Sequence, residues 1–71
     1  MQVVIRFKDY SANVQRRVYG LILTQNEVKT AQGLVGGLYY ETDLSPLMVI
    51  ASFEEDGFSF SDFESIEFRP K

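Results

Sequence analysis

Apolar and polar residues alternate at the start of the chain. Within Gln2–Lys8 the apolar residues Val3, Ile5 and Phe7 occupy every second position, and mainly polar residues lie between them. A period of two is typical of a strand with one buried face, because successive side chains of a strand point to opposite sides. We therefore predict that Gln2–Lys8 is the first strand.

The next apolar run, Val18–Thr24, contains no charged residue. An uncharged run of this kind is typical of a central strand that is covered on both faces. We predict a second strand from about Val14 to Thr24. Residues 9–13 are rich in turn formers, and they would join the first two strands as an antiparallel hairpin.

Residues 26–38 permit two interpretations. Apolar residues recur there at three- and four-residue spacing, which would suit a short helix near residues 27–33. Against the helix stand Gly33, Gly36 and Gly37, since each glycine inside a helix costs about 1 kcal/mol relative to alanine. The favoured interpretation is a twisted or bulged strand with glycines at its bends.

Three more strands are predicted in the second half of the chain, over Leu38–Thr42, Leu47–Glu54 and Ser65–Arg69. The second of these is apolar on both faces, so it is expected to be interior. The third alternates apolar residues with Glu67 and Arg69, as a half-buried strand does.

Two short sequence patterns between these strands predict a tight turn and a helical turn. The pair Asp56-Gly57 favours a tight turn with a positive φ. Ser61 and Glu64 have the spacing of a capping box, which predicts one turn of helix. The expected fold is mainly β: a small curved antiparallel sheet or partly open barrel of about five strands, with at most one or two short helical segments, formed by residues 1–71 as a single domain.

The amino-acid composition excludes several kinds of chemical site. The chain has 71 residues with no cysteine and no histidine, so disulfides, thiolate metal sites and imidazole catalysis are excluded. We expect neither enzymatic activity nor a cofactor. No signal peptide or membrane-length apolar run is visible, and the expected location is the cytoplasm. A chain of this size buries only about 60% of its unfolded surface, so monomer and homodimer are both open.

Charge is divided unevenly along the chain. Residues 1–30 hold five basic and two acidic residues, a net charge of +3. Residues 31–71 hold two basic and eight acidic residues, a net charge of −6. A net acidic surface argues against nucleic acid as the main partner, because general nucleic-acid affinity comes from neutralising phosphates.

The leading hypothesis is a binding module that docks on a protein partner through an acidic face and acts as a regulator or inhibitor. Small proteins of this kind are often encoded by phages and other mobile elements. Tyrosine is enriched at recognition surfaces, so one tyrosine is added to the acidic residues. The predicted partner-binding residues are Glu54, Glu55, Asp56, Asp62, Glu64 and Tyr40.

An alternative hypothesis is a dimeric protein that sequesters a small anionic, nucleotide-like ligand. Glycines allow close backbone approach to phosphate, arginines would bind the anion, and a tyrosine would stack on a base. Weak binding of single-stranded nucleic acid by arginine and stacking aromatics is a related alternative. The residues predicted for the ligand site are Arg16, Arg17, Gly36, Gly37 and Tyr39.

Overall fold

A computed structural model describes residues 1–8 and 12–70 of the chain. Strands and helices follow one another in this order: β1 (Gln2–Phe7), α1 (Ala12–Leu23), β2 (Val28–Leu34), β3 (Gly37–Thr42), α2 (Pro46–Glu55) and β4 (Phe63–Arg69). A short 3-10 turn, Phe60–Asp62, precedes β4. The strands form one open sheet in the order β2-β3-β1-β4, and every neighbouring pair is antiparallel. This is the split β-α-β, or ferredoxin-like, arrangement.

The core lies between one face of the sheet and the two helices. From β1, the side chains of Val3, Ile5 and Phe7 enter it, as the alternation predicted. From β3, Leu38 and Tyr40 lie opposite Ile5 and Val3 on the same face. The predicted first strand is therefore confirmed, with its buried face as expected.

The predicted second strand over Val14–Thr24 is wrong, because these residues belong to α1. Val14, Val18 and Ile22 are four residues apart and share one face of the helix, and Val18 and Ile22 are fully buried. A short apolar run fits a buried strand and a buried helix equally well by its composition. The hairpin predicted between the first two strands is replaced by a helical crossover. The predicted turn falls mostly on residues 9–11, outside the described residues.

Residues 28–42 form a hairpin of two strands. The preference for strand over helix is confirmed, and the short helix near residues 27–33 is wrong. The single bulged strand becomes two, separated by a turn at Val35 and Gly36, where Gly36 has a φ of 71°. The register shifts between Val28 and Thr30, so a bulge is present near the start of β2. Gln15 of α1 holds the hairpin by donating from Nε2 to the carbonyls of both residues that flank the turn, at 3.1 and 2.6 Å.

The predicted interior strand over Leu47–Glu54 is also wrong, because these residues form most of α2. Ser45 caps the helix by accepting a hydrogen bond from the Met48 amide at 3.3 Å, and Pro46 begins it. Val49 and Phe53, one helical turn apart, are the fully buried residues of this helix. The exposed side of the helix carries the apolar residues Leu47, Met48 and Ala51.

The predicted positive φ at the Asp56-Gly57 pair is confirmed, since Gly57 has a φ of 80°. The turn ends a helix and does not join two strands. The Gly57 amide donates to the Glu54 carbonyl and the Phe58 amide to the Phe53 carbonyl, both at 3.0 Å, which is the Schellman pattern. The contact between the rings of Phe53 and Phe58, 6.2 Å apart, is the apolar contact that usually accompanies this pattern.

The last part of the chain agrees partly with expectation. A helical turn is present, but Ser59 caps it in place of Ser61. The last predicted strand is confirmed. Ile66 and Phe68 pack against the core, while Ser65, Glu67 and Arg69 are exposed. The antiparallel sheet is therefore confirmed. A barrel of about five strands is not: the described residues form an open sheet of four strands with two helices.

The buried phenol of Tyr40 predicts that the fold loses stability at alkaline pH. Burial raises the pKa of the Tyr40 phenol above its usual value of about 10. The unfolded chain then loses this proton at a lower pH than the folded chain does. The stabilisation is complete below the unfolded pKa and is lost as the pH rises through it towards the raised folded pKa. We expect the unfolding free energy to fall above about pH 10.

The measurement is chemical unfolding between pH 7 and pH 11. No hydrogen bond involving the Tyr40 hydroxyl was found among the described residues, so Tyr40→Phe should remain folded at pH 7 and lose less stability at alkaline pH than the natural protein. Tyr39→Phe is the matched control, because Tyr39 lies on the other face of the same strand. An alkaline loss that Tyr40→Phe leaves unchanged would contradict the prediction.

Candidate functional site

Five exposed carboxylates gather at one end of the molecule, which we call the acidic end. They lie on the segment that leads from the last turn of α2 to the start of β4. That segment folds around Phe53, whose ring contacts those of Phe58, Phe60 and Phe63 with centroids 6.2, 6.5 and 5.6 Å apart. The aromatic residues turn inward and the acidic residues remain outside. The acidic end comprises Glu54, Glu55, Asp56, Asp62 and Glu64.

None of the carboxylates of the acidic end forms an ion pair within the described part of the chain. The ion pairs found there join Lys29 to Asp43 at 3.5 Å and Arg69 to Glu67 at 2.9 Å, and neither involves the acidic end. The last turn of α2 carries no basic residue. Carboxylates at a helix C-terminus also lie beside the partial negative charge of the helix dipole, which is unfavourable. The acidic end is therefore a local concentration of negative charge.

Tyr40 does not belong to this surface. Its side chain is only 1% exposed and lies in the core between the sheet and the helices. Adjacent residues of a strand point to opposite faces, so one of the two neighbouring tyrosines had to face inward. Tyr39 is the one on the outer face of the sheet.

An apolar stripe lies on the outward side of α2 and begins at the opposite end of that helix from the acidic end. Leu47 is 79% exposed and Met48 is 54% exposed, and Ala51, one turn further on, is exposed as well. Sequence reasoning missed this surface because it assigned these residues to an interior strand. The signal that reveals it is the Ser45-Pro46 pair, which begins a helix.

The two arginines of the alternative ligand site lie on α1, which packs on the core face of the sheet. Arg16 donates to the Asn13 side-chain oxygen at 2.6 Å. The Arg17 guanidinium lies over the Phe58 ring, 5.0 Å from its centroid, as in a cation–π contact. This contact also brings the first half of α1 close to the segment that carries the acidic end.

The other residues of that alternative site lie elsewhere. Gly36 and Gly37 belong to the hairpin turn and to the start of β3, and Gly37 is buried against β1. Tyr39 lies on the sheet face that points away from the helices. The structure thus places the arginines and Tyr39 on opposite sides of the sheet, and it does not bring the five residues together.

The outer face of the sheet has its own polar group. Tyr39, Val4 and Glu67 lie side by side on β3, β1 and β4. Arg69 donates two hydrogen bonds to the Glu67 carboxylate, at 2.9 and 3.1 Å. These bonds lower the pKa of Glu67 below its usual value. The charges of Glu67 and Arg69 are therefore paired with each other.

Comparison of the chain with protein-family models, with curated proteins and with solved structures gives no match. In the described part of the chain, no group of three acidic, histidine or cysteine residues is placed to hold a metal ion. No described helix has the length and apolar character needed to cross a membrane.

The acidic end and the apolar stripe are suited to recognition by contact. Exposed carboxylates attract a positively charged surface over several ångströms and select against a negative one. The exposed apolar residues of α2 can separately be buried on contact with another surface.

Proposed function

We propose that this protein is a non-enzymatic binding module that docks on a basic surface of another protein through the acidic end and acts as a regulator or inhibitor by occupying that surface. The observation that carries the proposal is the gathering of five exposed carboxylates, none of them ion-paired within the described residues, at the end of α2. The ferredoxin-like arrangement itself favours no particular function.

The placement of the acidic residues supports a partner with positive charge. Three of them follow one another at the C-terminal end of α2, where the helix dipole disfavours negative charge. Their cost to the helix is removed when arginine or lysine side chains of a partner approach. The partner surface that fits best is one rich in arginine and lysine.

A cross-linking experiment identifies the partner. A photoreactive phenylalanine derivative replaces Ser61, an exposed residue next to Asp62 of the acidic end. The labelled protein is then irradiated in an extract of its host. The same derivative at Gln32, exposed on β2, is the control. A partner of this surface is cross-linked from position 61 and not from position 32. Equal cross-linking from both positions marks non-specific contact and contradicts the proposal.

Charge reversal within the acidic end should weaken binding of the purified partner. For Asp56→Lys combined with Asp62→Lys we expect a dissociation constant about tenfold higher, equivalent to about 1.4 kcal/mol, and a weaker dependence on salt. The reason is the loss of electrostatic attraction between the partner and the acidic end. Titration calorimetry at two salt concentrations measures both effects.

The matched control reverses two acidic residues elsewhere, Glu27→Lys with Asp43→Lys. It changes the net charge by the same amount, and it removes only the exposed ion pair with Lys29. Binding by the control variant should stay close to that of the natural protein. If both double variants lose affinity equally, net charge alone governs binding and the acidic end is not the docking surface.

A further inference from the structure

The outward surface of the helical layer carries two matching rows of residues. On α1 the row is Arg16, Gly20 and Leu23, and on α2 it is Leu47, Ala51 and Glu55. Spacings of three and four residues place the members of each row on one side of their helix. All six residues are exposed, with Leu23 at 58% and Leu47 at 79%.

Packing among the described residues does not explain the glycine at position 20. A Cβ at this position would meet no heavy atom within 4 Å, so packing does not require a glycine there. Glycine in the interior of a helix is also less favourable than alanine by about 1 kcal/mol. What its missing side chain does permit is the close approach of another backbone to the outside of α1.

The two rows run in opposite chemical order. Along α1 the row is basic, then small, then apolar, and along α2 it is apolar, then small, then acidic. The helices themselves are antiparallel, because each crosses back along the sheet and β1 and β3 are antiparallel. A hydrogen bond of 3.1 Å from the Asp43 amide to the Glu27 carbonyl places the chain after α1 next to the chain before α2. The apolar ends of both rows therefore lie at one end of the layer and the charged ends at the other.

We propose that two copies of this chain pair through their helical layers about a two-fold axis parallel to the helices. Helix α1 of each copy then lies antiparallel on α2 of the other. Arg16 faces Glu55 of the other copy, Gly20 faces Ala51 of the other copy, and Leu23 faces Leu47 of the other copy. Two-fold symmetry makes every contact twice, as in the commonest kind of homodimer.

Charge complementarity and exposed apolar surface both favour a second copy as the occupant. Neither Arg16 nor Glu55 forms an ion pair within the described residues, and each would meet the opposite charge across the axis. A typical interface covers about 800 Å² of each partner, which is under a fifth of the 4456 Å² of surface of the described chain. The small residues at the centre let the helices approach closely.

The dimer goes beyond the proposed docking function and would also change it, because it covers Leu47 and Ala51 and pairs Glu55. The carboxylates left to meet another partner are those of Glu54, Asp56, Asp62 and Glu64. Because the axis runs along the helices, the acidic ends of both copies point in the same direction. Two such ends side by side offer a bivalent surface, which a partner with two basic patches binds more tightly than a single end. Asp56 and Asp62 lie outside both rows, so tests of partner binding and of self-association use different residues.

The first test is self-association of the complete chain by sedimentation at concentrations from about 1 to 500 μM. The natural protein should dimerise in this range. Arg16→Glu and Glu55→Arg each place like charges on both contacts of the dimer, and each variant should dissociate at least tenfold more readily. In an equimolar mixture the Glu at position 16 of one chain meets the Arg at position 55 of the other, and the natural Arg16 meets the natural Glu55. The mixture should therefore recover dimerisation.

The second test separates folding from pairing. Gly20→Gln introduces a better helix former, so the thermal midpoint of the diluted monomer should rise or stay the same. The longer side chain blocks the approach to Ala51, so dimerisation should weaken at least tenfold. A natural protein that remains monomeric at 500 μM would overturn the proposal. A dimer that survives Gly20→Gln, or charge reversals that the mixture does not rescue, would overturn it equally.

Discussion

Replacing Phe53 by alanine is expected to lower the free energy of unfolding by about 3–5 kcal/mol. Phe53 is fully buried and its ring makes edge-to-face contacts with those of Phe58, Phe60 and Phe63. The substitution removes the centre of this cluster and leaves a cavity that the short connecting segment fills poorly. A domain of 71 residues has a total stability of only about 4–11 kcal/mol, so a large part of it would be lost.

Denaturant unfolding followed by circular dichroism measures the effect. The control is Leu47→Ala in the same helix, at a concentration where the chain is monomeric. Leu47 is 79% exposed, so its loss should change the unfolding free energy by less than about 0.5 kcal/mol. If the two variants were equally stable, Phe53 would not be the centre of the core.

The same substitution should disturb the acidic end. The carboxylates on either side of Phe58 and Phe60 are held in place because these rings pack on Phe53. In a variant that still folds in the cold, this segment should lose amide protection before the sheet does. The position of the acidic end therefore depends on the packing of Phe53 in the core.

The strands were predictable where one face of the sheet is buried and the other is open. In β1 and β4 the alternation of apolar and polar residues predicts a half-buried strand, and the structure confirms both strands. Helix α1 was missed because its uncharged centre, with Gly20 inside it, has the composition of a buried strand. The signal that separates the two cases is that a strand face through Val14, Val18 and Ile22 would also include Arg16, whereas a helical face would not.

Helix α2 was missed for a different reason. Its outward side is apolar at Leu47 and Met48, so no polar stripe reveals a helical period. A strand covered on both faces produces the same pattern. Only the cap formed by Ser45 and Pro46 indicates that a helix begins there.

Some residues of the candidate surface could be predicted from the sequence and others could not. The acidic residues were predictable because they are close together in sequence and charge keeps them exposed. The choice between Tyr39 and Tyr40 was not, because alternation shows that the two face opposite sides and does not show which side is covered. The rows on the helices could not be found until both segments were known to be helices.

Gly37→Ala is expected to destabilise the fold by about 1–3 kcal/mol or more, although it adds a single methyl group. Gly37 begins β3 and lies opposite Arg6 of β1. A Cβ at this position would overlap the Ile5 carbonyl oxygen and lie 3.3 Å from the Arg6 Cα. These are backbone atoms in the middle of the sheet, so they cannot move aside without breaking the pairing of β1 with β3.

The matched control is Gly33→Ala on the neighbouring strand. Its new methyl group would meet only the Gln15 side chain, with Nε2 3.8 Å away, and neither glycine has a positive φ. Gly33→Ala should therefore leave the unfolding free energy nearly unchanged. Hydrogen exchange gives a local readout, because the Phe7 amide donates to the Gly36 carbonyl at 2.9 Å. Exchange at Phe7 should accelerate in Gly37→Ala and not in Gly33→Ala, and equal exchange in both variants would show that β1 and β3 do not approach as closely as the structure has them.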